Sequence, residues 1–98
     1  MLPILFHPAT SKEIKASFDW YQKQVKGLGH DFIQELELAF NSVQSLPFTW
    51  PKIGPSHRRF VLSRFPYSVI YKVVNNEKIF VVAIMNNHRK PDYWNDRN

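Results

Sequence analysis

Residues 67–85 have the sequence YSVIYKVVNNEKIFVVAIM, and this stretch decides the fold of the chain. Apolar or aromatic side chains stand at every second position from residue 67 to residue 73, which predicts a strand with one buried face. The pair Asn75 and Asn76 then predicts a hairpin turn, because asparagine tolerates the left-handed backbone that such turns need. Residues 78–85 are apolar on both parities after the initial lysine, which is typical of a central strand covered on each face.

Two amphipathic helices are predicted ahead of this hairpin. The first begins at a T-x-x-E capping box formed by Thr10 and Glu13, and its apolar residues then follow at spacings of three and four. Gly27 and Gly29 interrupt the pattern, and a second helix fits residues 30–45. Because the break between them is so short, we expect the two helices to form a helical hairpin.

The remaining segments complete the predicted order of elements. Residues 1–7 form a short apolar run that predicts a first strand and not a signal peptide. Residues 47–57 contain three prolines and a glycine, so we expect a loop without a regular element, and residues 59–63 alternate as a strand does. The sequence predicts a single α+β domain over residues 1–98. Its order is β-α-α-β-β-β, with the helical hairpin packed on one face of a mainly antiparallel sheet.

Composition excludes several classes of function. The chain of 98 residues is 44% hydrophobic, enough for one modest core. It has no cysteine, so a disulfide framework, a thiolate metal site and a cysteine nucleophile are excluded. Its dispersed histidines predict no metal site, and we expect no cofactor. No apolar run reaches the roughly 18 residues of a membrane span, so we expect no membrane association. The lack of cysteine fits a reducing cytoplasm, where we expect the protein.

The charge is distributed unevenly along the chain. Residues 1–51 hold four Lys and five Asp or Glu, a net charge of −1, whereas residues 52–98 hold nine Lys or Arg and three Asp or Glu, a net charge of +6. A basic half joined to a nearly neutral half predicts a polyanionic or acidic partner on one side of the molecule. A basic surface that serves only solubility is the alternative.

Strand parity also predicts a cationic sheet face. Ser68 and Lys72 should point away from the helices, with Arg59 beside them on the neighbouring strand. Arg64 and the basic tail, residues 88–97, would flank this face, which we expect to be partly open. Guanidinium groups bind phosphate bidentately and aromatic rings stack on bases, so such a face would suit RNA. The plainer interpretation is a set of ordinary solvated side chains.

The tail, HRKPDYWNDR at residues 88–97, resembles the H-R-x-P-x-Y-W-x-x-R ending of RelE/ParE-type toxins, which are often labelled plasmid-stabilisation proteins. Further similarities follow in register from His7 to Arg97, and their order and spacing together carry the resemblance. They are DWY at 19–21, GLG at 27–29 with Phe32, Pro47 with Trp50 and Pro51, and RFPY at 64–67 leading to Ile70 and Tyr71.

The resemblance implies the toxin of a type II toxin–antitoxin system, which inhibits growth and is neutralised by a cognate antitoxin. It implies contact with operator DNA only through that antitoxin. Two targets follow from it: the ribosome with its mRNA, which would be cleaved without a metal, or DNA gyrase. In the RNA-cutting relatives, Arg, Lys, His or Tyr side chains favour attack by a ribose 2′-hydroxyl on the adjacent phosphate.

Carried over by position, the resemblance assigns candidate roles. Arg64 would bind phosphate or stabilise the transition state, and His88 would be a general acid or base because its usual pKa lies near neutrality. Tyr93 would stack on a base or transfer a proton. The candidates for binding nucleic acid or another target are Arg59, Lys72, Arg89, Lys90 and Arg97.

The chain departs from several RNA-cutting relatives at one position. They carry an arginine on the middle strand, just before its apolar-apolar-Tyr stretch, where this chain has Ser68. A missing cation where charge develops weakens stabilisation of the transition state, unless Arg59 or Arg64 compensates. Gyrase-directed relatives lack a set of catalytic residues, so Ser68 at this position is compatible with gyrase as the target. A non-enzymatic or attenuated binding module of the same fold is a third alternative.

Several of these residues also have structural interpretations. His88 would cap the end of a strand, and Tyr93 with Trp94 would form a hydrophobic clasp that fixes the tail. Glu13 and Asp19 are expected to be surface residues of the first helix.

Overall fold

The computed structural model describes residues 1–97. Its elements follow the predicted order, with one additional short strand. They are β1 (Ile4–Phe6), α1 (Ala9–Gln24), α2 (Leu28–Ser45), β2 (Lys52–Ile53), β3 (His57–Val61), β4 (Tyr67–Val74) and β5 (Lys78–Asn86).

The five strands form one sheet in the order β1-β5-β4-β3-β2. β1 runs parallel to β5, and every other neighbouring pair is antiparallel. β5 therefore lies between β1 and β4. Its side chains enter a hydrophobic cluster on each face of the sheet, which explains why it is apolar on both parities. Asn75 and Asn76 adopt φ angles of 55° and 57°, and the Glu77 N–H donates to the Val74 carbonyl at 3.0 Å. The prediction of a hairpin turn at the two asparagines is confirmed.

The start of α1 differs from the prediction. The N-cap is Pro8, whose φ of −55° already suits a helix and which makes no side-chain capping hydrogen bond. Thr10 donates from its hydroxyl to the His7 carbonyl at 2.7 Å, and the Ala9 N–H donates to His7 Nδ1 at 3.0 Å. The predicted capping box is wrong, because Glu13 is drawn away from the helix end toward β5 and the tail.

The start of α2 differs as well. Gly27 adopts φ 89° as its N-cap, a left-handed conformation that favours glycine. The helix begins at Leu28 and so includes Gly29, which the prediction assigned to the break. A Cβ at Gly29 would lie 2.7 Å from the Phe18 carbonyl oxygen, so glycine at this position permits the close approach of the two helices.

The prediction that residues 47–57 form a loop without a regular element is wrong, because Lys52–Ile53 forms the edge strand β2. Ile53 pairs with His57 of β3, and Gly54 turns the chain between them at φ 76°. Prolines on either side of β2 are tolerated because an edge strand needs ladder hydrogen bonds on one side only.

Each face of the sheet carries its own hydrophobic cluster. On one face, buried side chains of α1 and α2, including Tyr21, Phe32 and Leu36, pack against Val69 and Tyr71 of β4. The Tyr71 hydroxyl donates to the Pro47 carbonyl at 2.7 Å, and burial raises the pKa of Tyr71 to about 12.

In residues 1–97, neither helix is long and apolar enough to cross a membrane.

Candidate functional site

The second face of the sheet is covered by the tail. Trp94 is 1% exposed and packs with Ile70, Val82, Ala83 and Met85, all nearly inaccessible. The expectation of a partly open cationic face is therefore wrong for this part of the face, because its apolar side chains gain more from burial than from contact with water, while Arg59 and Lys72 beside it stay half-buried. The alternative prediction, a hydrophobic clasp that fixes the tail, is confirmed.

Glu13 of α1 is the polar anchor of this clasp. Its carboxylate accepts hydrogen bonds from the Ile84 N–H at 3.0 Å, the Tyr93 hydroxyl at 2.9 Å and Arg97 Nη1 at 3.0 Å. The Glu13 and Arg97 side chains are only 14% and 18% exposed, and Arg97 Nη1 also donates to the Val82 carbonyl at 2.9 Å. The prediction that Glu13 is a surface residue is wrong. We call Glu13, Tyr93, Trp94 and Arg97 the tail clasp.

The tail clasp holds the Tyr93 hydroxyl in its protonated form. Burial raises the pKa of Tyr93 well above its ordinary value, and the negative charge and hydrogen bond of Glu13 raise it further. The cations Arg89 and Arg97 oppose the rise without reversing it. Because this hydroxyl already donates to Glu13, its geometry suits a fixed hydrogen bond better than proton exchange with a ligand.

Arg59 lies on the second sheet face, as strand parity predicts, and is bound to its neighbours. Its Nε donates to the Ser68 hydroxyl oxygen at 2.8 Å and its Nη2 to Asn87 Oδ1 at 3.0 Å. Ser68 in turn donates to the same Asn87 oxygen at 2.6 Å and is fully buried. Ser68 therefore joins Arg59 to the end of β5 in a network within the protein. Lys72, half-buried on the same strand as Ser68, has its Nζ 5.8 Å from the centre of the Phe80 ring.

Arg64 lies beside α2. One of its guanidinium nitrogens is 3.7 Å from Asp31 Oδ2, and its backbone N–H donates to Glu35 Oε2 at 3.1 Å. With Phe60 and Leu38 it lines a groove between α2 and β3.

His88, Arg89 and Lys90 follow the end of β5 and are exposed. The His88 N–H donates to Asn86 Oδ1 at 2.9 Å, and the Arg89 guanidinium carbon lies 4.1 Å from the centre of the Tyr93 ring. His88 and Arg89 line one groove beside α1, while Arg64 lines the α2 groove and Arg59 lines a third, near Trp50. The fold therefore places Arg89 against Tyr93 and in one groove with His88, and it places Arg59 and Arg64 elsewhere.

A family model described as the ParE toxin of type II toxin-antitoxin system, parDE, matches residues 4–91. The chain belongs to the ParE toxin family. A solved structure described as "Chromosomal ParDE TA system from P. aeruginosa" has the same fold, with a TM-score of 0.69 and 18% sequence identity. That similarity covers 88% of this chain and 96% of the other. No curated protein matches the chain.

The predicted resemblance to RelE/ParE-type toxins is thus confirmed, and so is the α+β fold that it implies. The family match ends at residue 91, before Tyr93, Trp94 and Arg97. Three of the four residues of the tail clasp therefore lie beyond the matched part of this ParE-family chain.

Sequence reasoning missed two residues of this ParE-family toxin that the tail depends on. Glu13 precedes Ser17 and Tyr21 at spacings of four and eight, so it falls on the buried stripe of α1, and this spacing was the available signal. His57 offered no such signal. Its ring lies 4.7 Å from Trp94, and burial, followed by the positive charge of Lys72, lowers its pKa. Within the described residues, His57 Nε2 and Trp94 Nε1 are buried without a hydrogen-bond partner.

Proposed function

We propose that this ParE-family toxin arrests growth by binding DNA gyrase, without cutting RNA, and that a cognate antitoxin neutralises it. One observation carries the choice of mechanism: the tail clasp covers the part of the sheet face, over β4 and β5, on which an RNA-cutting site was expected. The family match and the ParDE description of the P. aeruginosa neighbour support the antitoxin as partner. The proposal places both partners in the cytoplasm, with operator DNA contacted through the antitoxin.

Dispersal of the candidate catalytic residues supports binding over cleavage. Metal-free cleavage of RNA needs an acid, a base and a cation within hydrogen-bond reach of one phosphate. Arg64 and His88 line different grooves, and the Tyr93 hydroxyl is engaged by Glu13. Arg59, the cation nearest to Ser68, is already bound by Ser68 and Asn87. Binding a protein target requires no such convergence, so we propose a contact role for His88, Arg89 and Lys90.

The test compares two activities of the purified toxin. We expect it to inhibit DNA supercoiling by gyrase and to leave messenger RNA intact in a translating extract. The cognate antitoxin, encoded by a neighbouring gene, should restore supercoiling in the assay and growth in bacteria that express the toxin. Cleaved messenger with normal supercoiling would reject the proposal in favour of the nuclease. Unaffected growth would instead favour an attenuated binding module.

Two variants sharpen this test. Arg64→Ala and His88→Ala alter exposed side chains, so neither should disturb folding. A nuclease that used them should lose about a hundredfold in rate for each, as expected when a catalytic group is removed. Under the proposed mechanism, the wild type and both variants leave RNA uncut. Arg64→Ala should also inhibit gyrase as strongly as the wild type does.

A further inference from the structure

A groove of about 620 Å³ runs along α1, and Glu13 is the one residue of the tail clasp that lines it. Its walls come from three places in the chain: α1, the start of β4, and the end of β5 with the loop that follows it. We call it the α1 groove. The residues used below are Lys12, Ala16, Trp20, Pro66, His88 and Arg89.

The helical wall of the α1 groove is shaped by side-chain size. Lys12, Ala16 and Trp20 are spaced four apart, so they form one stripe along α1. The small Ala16 side chain leaves a depression between two long ones. Trp20 is 58% exposed, with its ring edge-on to Tyr21 at 5.2 Å. A large apolar ring so exposed beside a depression is typical of the anchor point of a protein interface.

The rim of the α1 groove is positively charged. Lys12 and Arg89 are both exposed cations. Glu13 is the acidic residue among the described lining residues, and Arg97 neutralises it in the tail clasp. The positive charge of the rim is therefore not cancelled locally, and it favours a negatively charged occupant.

We propose that the α1 groove docks an acidic segment of the toxin's target protein, with one apolar side chain of that segment seated against Trp20. This inference rests on the proposed function, because it assumes that the toxin acts by binding a protein. A single-stranded nucleic acid would need successive aromatic platforms along a cationic track. Among the Trp and Tyr rings that line the α1 groove, Trp20 alone is exposed, and Ala16 and Pro66 add apolar surface, which suits a peptide segment.

The tail clasp has a consequence for this surface. Arg89 stacks on the Tyr93 ring at 4.1 Å, and the Tyr93 hydroxyl is fixed by Glu13. Glu13 is thereby a positioning residue for the cationic rim. A rim residue held in place before binding loses less conformational entropy when the partner docks.

The experiment measures growth arrest in bacteria and binding of purified gyrase for the variants Trp20→Ala, Lys12→Glu and Arg89→Glu. Matched controls are Leu46→Ala, an apolar residue 53% exposed at the end of α2, and Lys78→Glu, an exposed cation at the start of β5. Each groove variant should bind gyrase about tenfold or more weakly, as for an interface anchor. The controls should stay within about twofold of the wild type, where non-anchor residues lie. Thermal unfolding verifies that every variant is folded.

The outcomes separate this inference from the proposed function. Groove variants that arrest growth and bind as well as the controls would overturn the inference and leave the gyrase proposal standing. A wild type that arrests growth without binding gyrase would reject gyrase as the target, and loss of arrest in the groove variants would then still support the α1 groove. Variants that lose binding only to a single-stranded RNA oligonucleotide would make it a nucleic-acid surface and overturn the inference. A wild type that neither binds gyrase nor arrests growth would overturn both.

Discussion

On the helix side of the sheet, Phe32, Leu36 and Val43 of α2 are at most 2% exposed and pack against a face of β4 and β5. On the tail side, Trp94 supplies most of the cover, and the segment that carries it contains turns but no helix or strand. The helix side is therefore closed by many apolar contacts spread over two long helices. The tail side is closed by one large ring and the ionic hydrogen bonds of Glu13.

This difference indicates how stability is distributed. Truncation of one buried side chain on the helix side leaves a cavity, because the helices are held by their other contacts and cannot move to fill it. The tail follows the last strand, so it can detach while the helices and the sheet remain packed. Regions with few apolar contacts open at lower free energy than the global core. We therefore expect the tail side to open locally before the molecule unfolds.

The largest effect is expected on the helix side, from Phe32→Ala. Phe32 is fully buried and meets Tyr21, Phe65 and Tyr67 at ring separations of 5.0–5.4 Å. The substitution should lower the free energy of unfolding by about 3–5 kcal/mol, measured by urea denaturation. A loss below about 1 kcal/mol would mean that the helix side is not the main core.

Trp94→Ala should cost less, about 2–4 kcal/mol, because the freed tail detaches instead of maintaining a cavity. We also expect faster trypsin cleavage after Arg89 than in the wild type, while the helices and the sheet persist by circular dichroism. If Trp94→Ala destabilised the protein more than Phe32→Ala, the contrast between the two sides would be reversed.

Glu13→Gln should lower stability by about 1.5–3 kcal/mol, because the Arg97 guanidinium would keep its partly buried position without a counter-charge. Asp19→Asn is the matched control: Asp19 is also an acid on α1 but pairs with Lys15 at the surface. The control should change stability by less than about 1 kcal/mol, as is usual for surface ion pairs. Equal effects of the two variants in urea denaturation would argue against the tail clasp.

The smallest effect concerns pH. Since burial lowers the pKa of His57 in the folded protein, the unfolded chain binds the proton first as the pH falls below about 6.5. Stability should therefore decrease from about pH 6.5 downward, until the pH reaches the lower pKa of the folded state. Denaturation of wild type and His57→Gln at pH 7.5 and pH 5.5 isolates this contribution from the other histidines. An identical pH dependence in the two proteins would contradict it.

The hairpin and the helices were readable from local patterns. Alternation in β4, the Asn75-Asn76 turn and the continuous apolar run of β5 depend on neighbours within a few residues, which the sequence displays directly. β2 was not predictable, because its two residues become a strand only by pairing with His57 and Arg58 of β3. Parity also placed Arg59 on the correct sheet face, but it carried no information on what covers that face.

The amino-acid sequence alone determined the α+β class, the order of the long elements and the ParE resemblance, because periodicity, turn residues and motif spacing are properties of the chain itself. Only the tertiary structure decided how the charged residues are used. Glu13 and Arg97 lie far apart in the sequence, yet they pair at 3.0 Å because the tail folds back over the sheet. Burial and charge pairing depend on which distant segments meet, and so the tertiary structure decided that the tail covers part of the second face and that Lys12 and Arg89 line one groove beside α1.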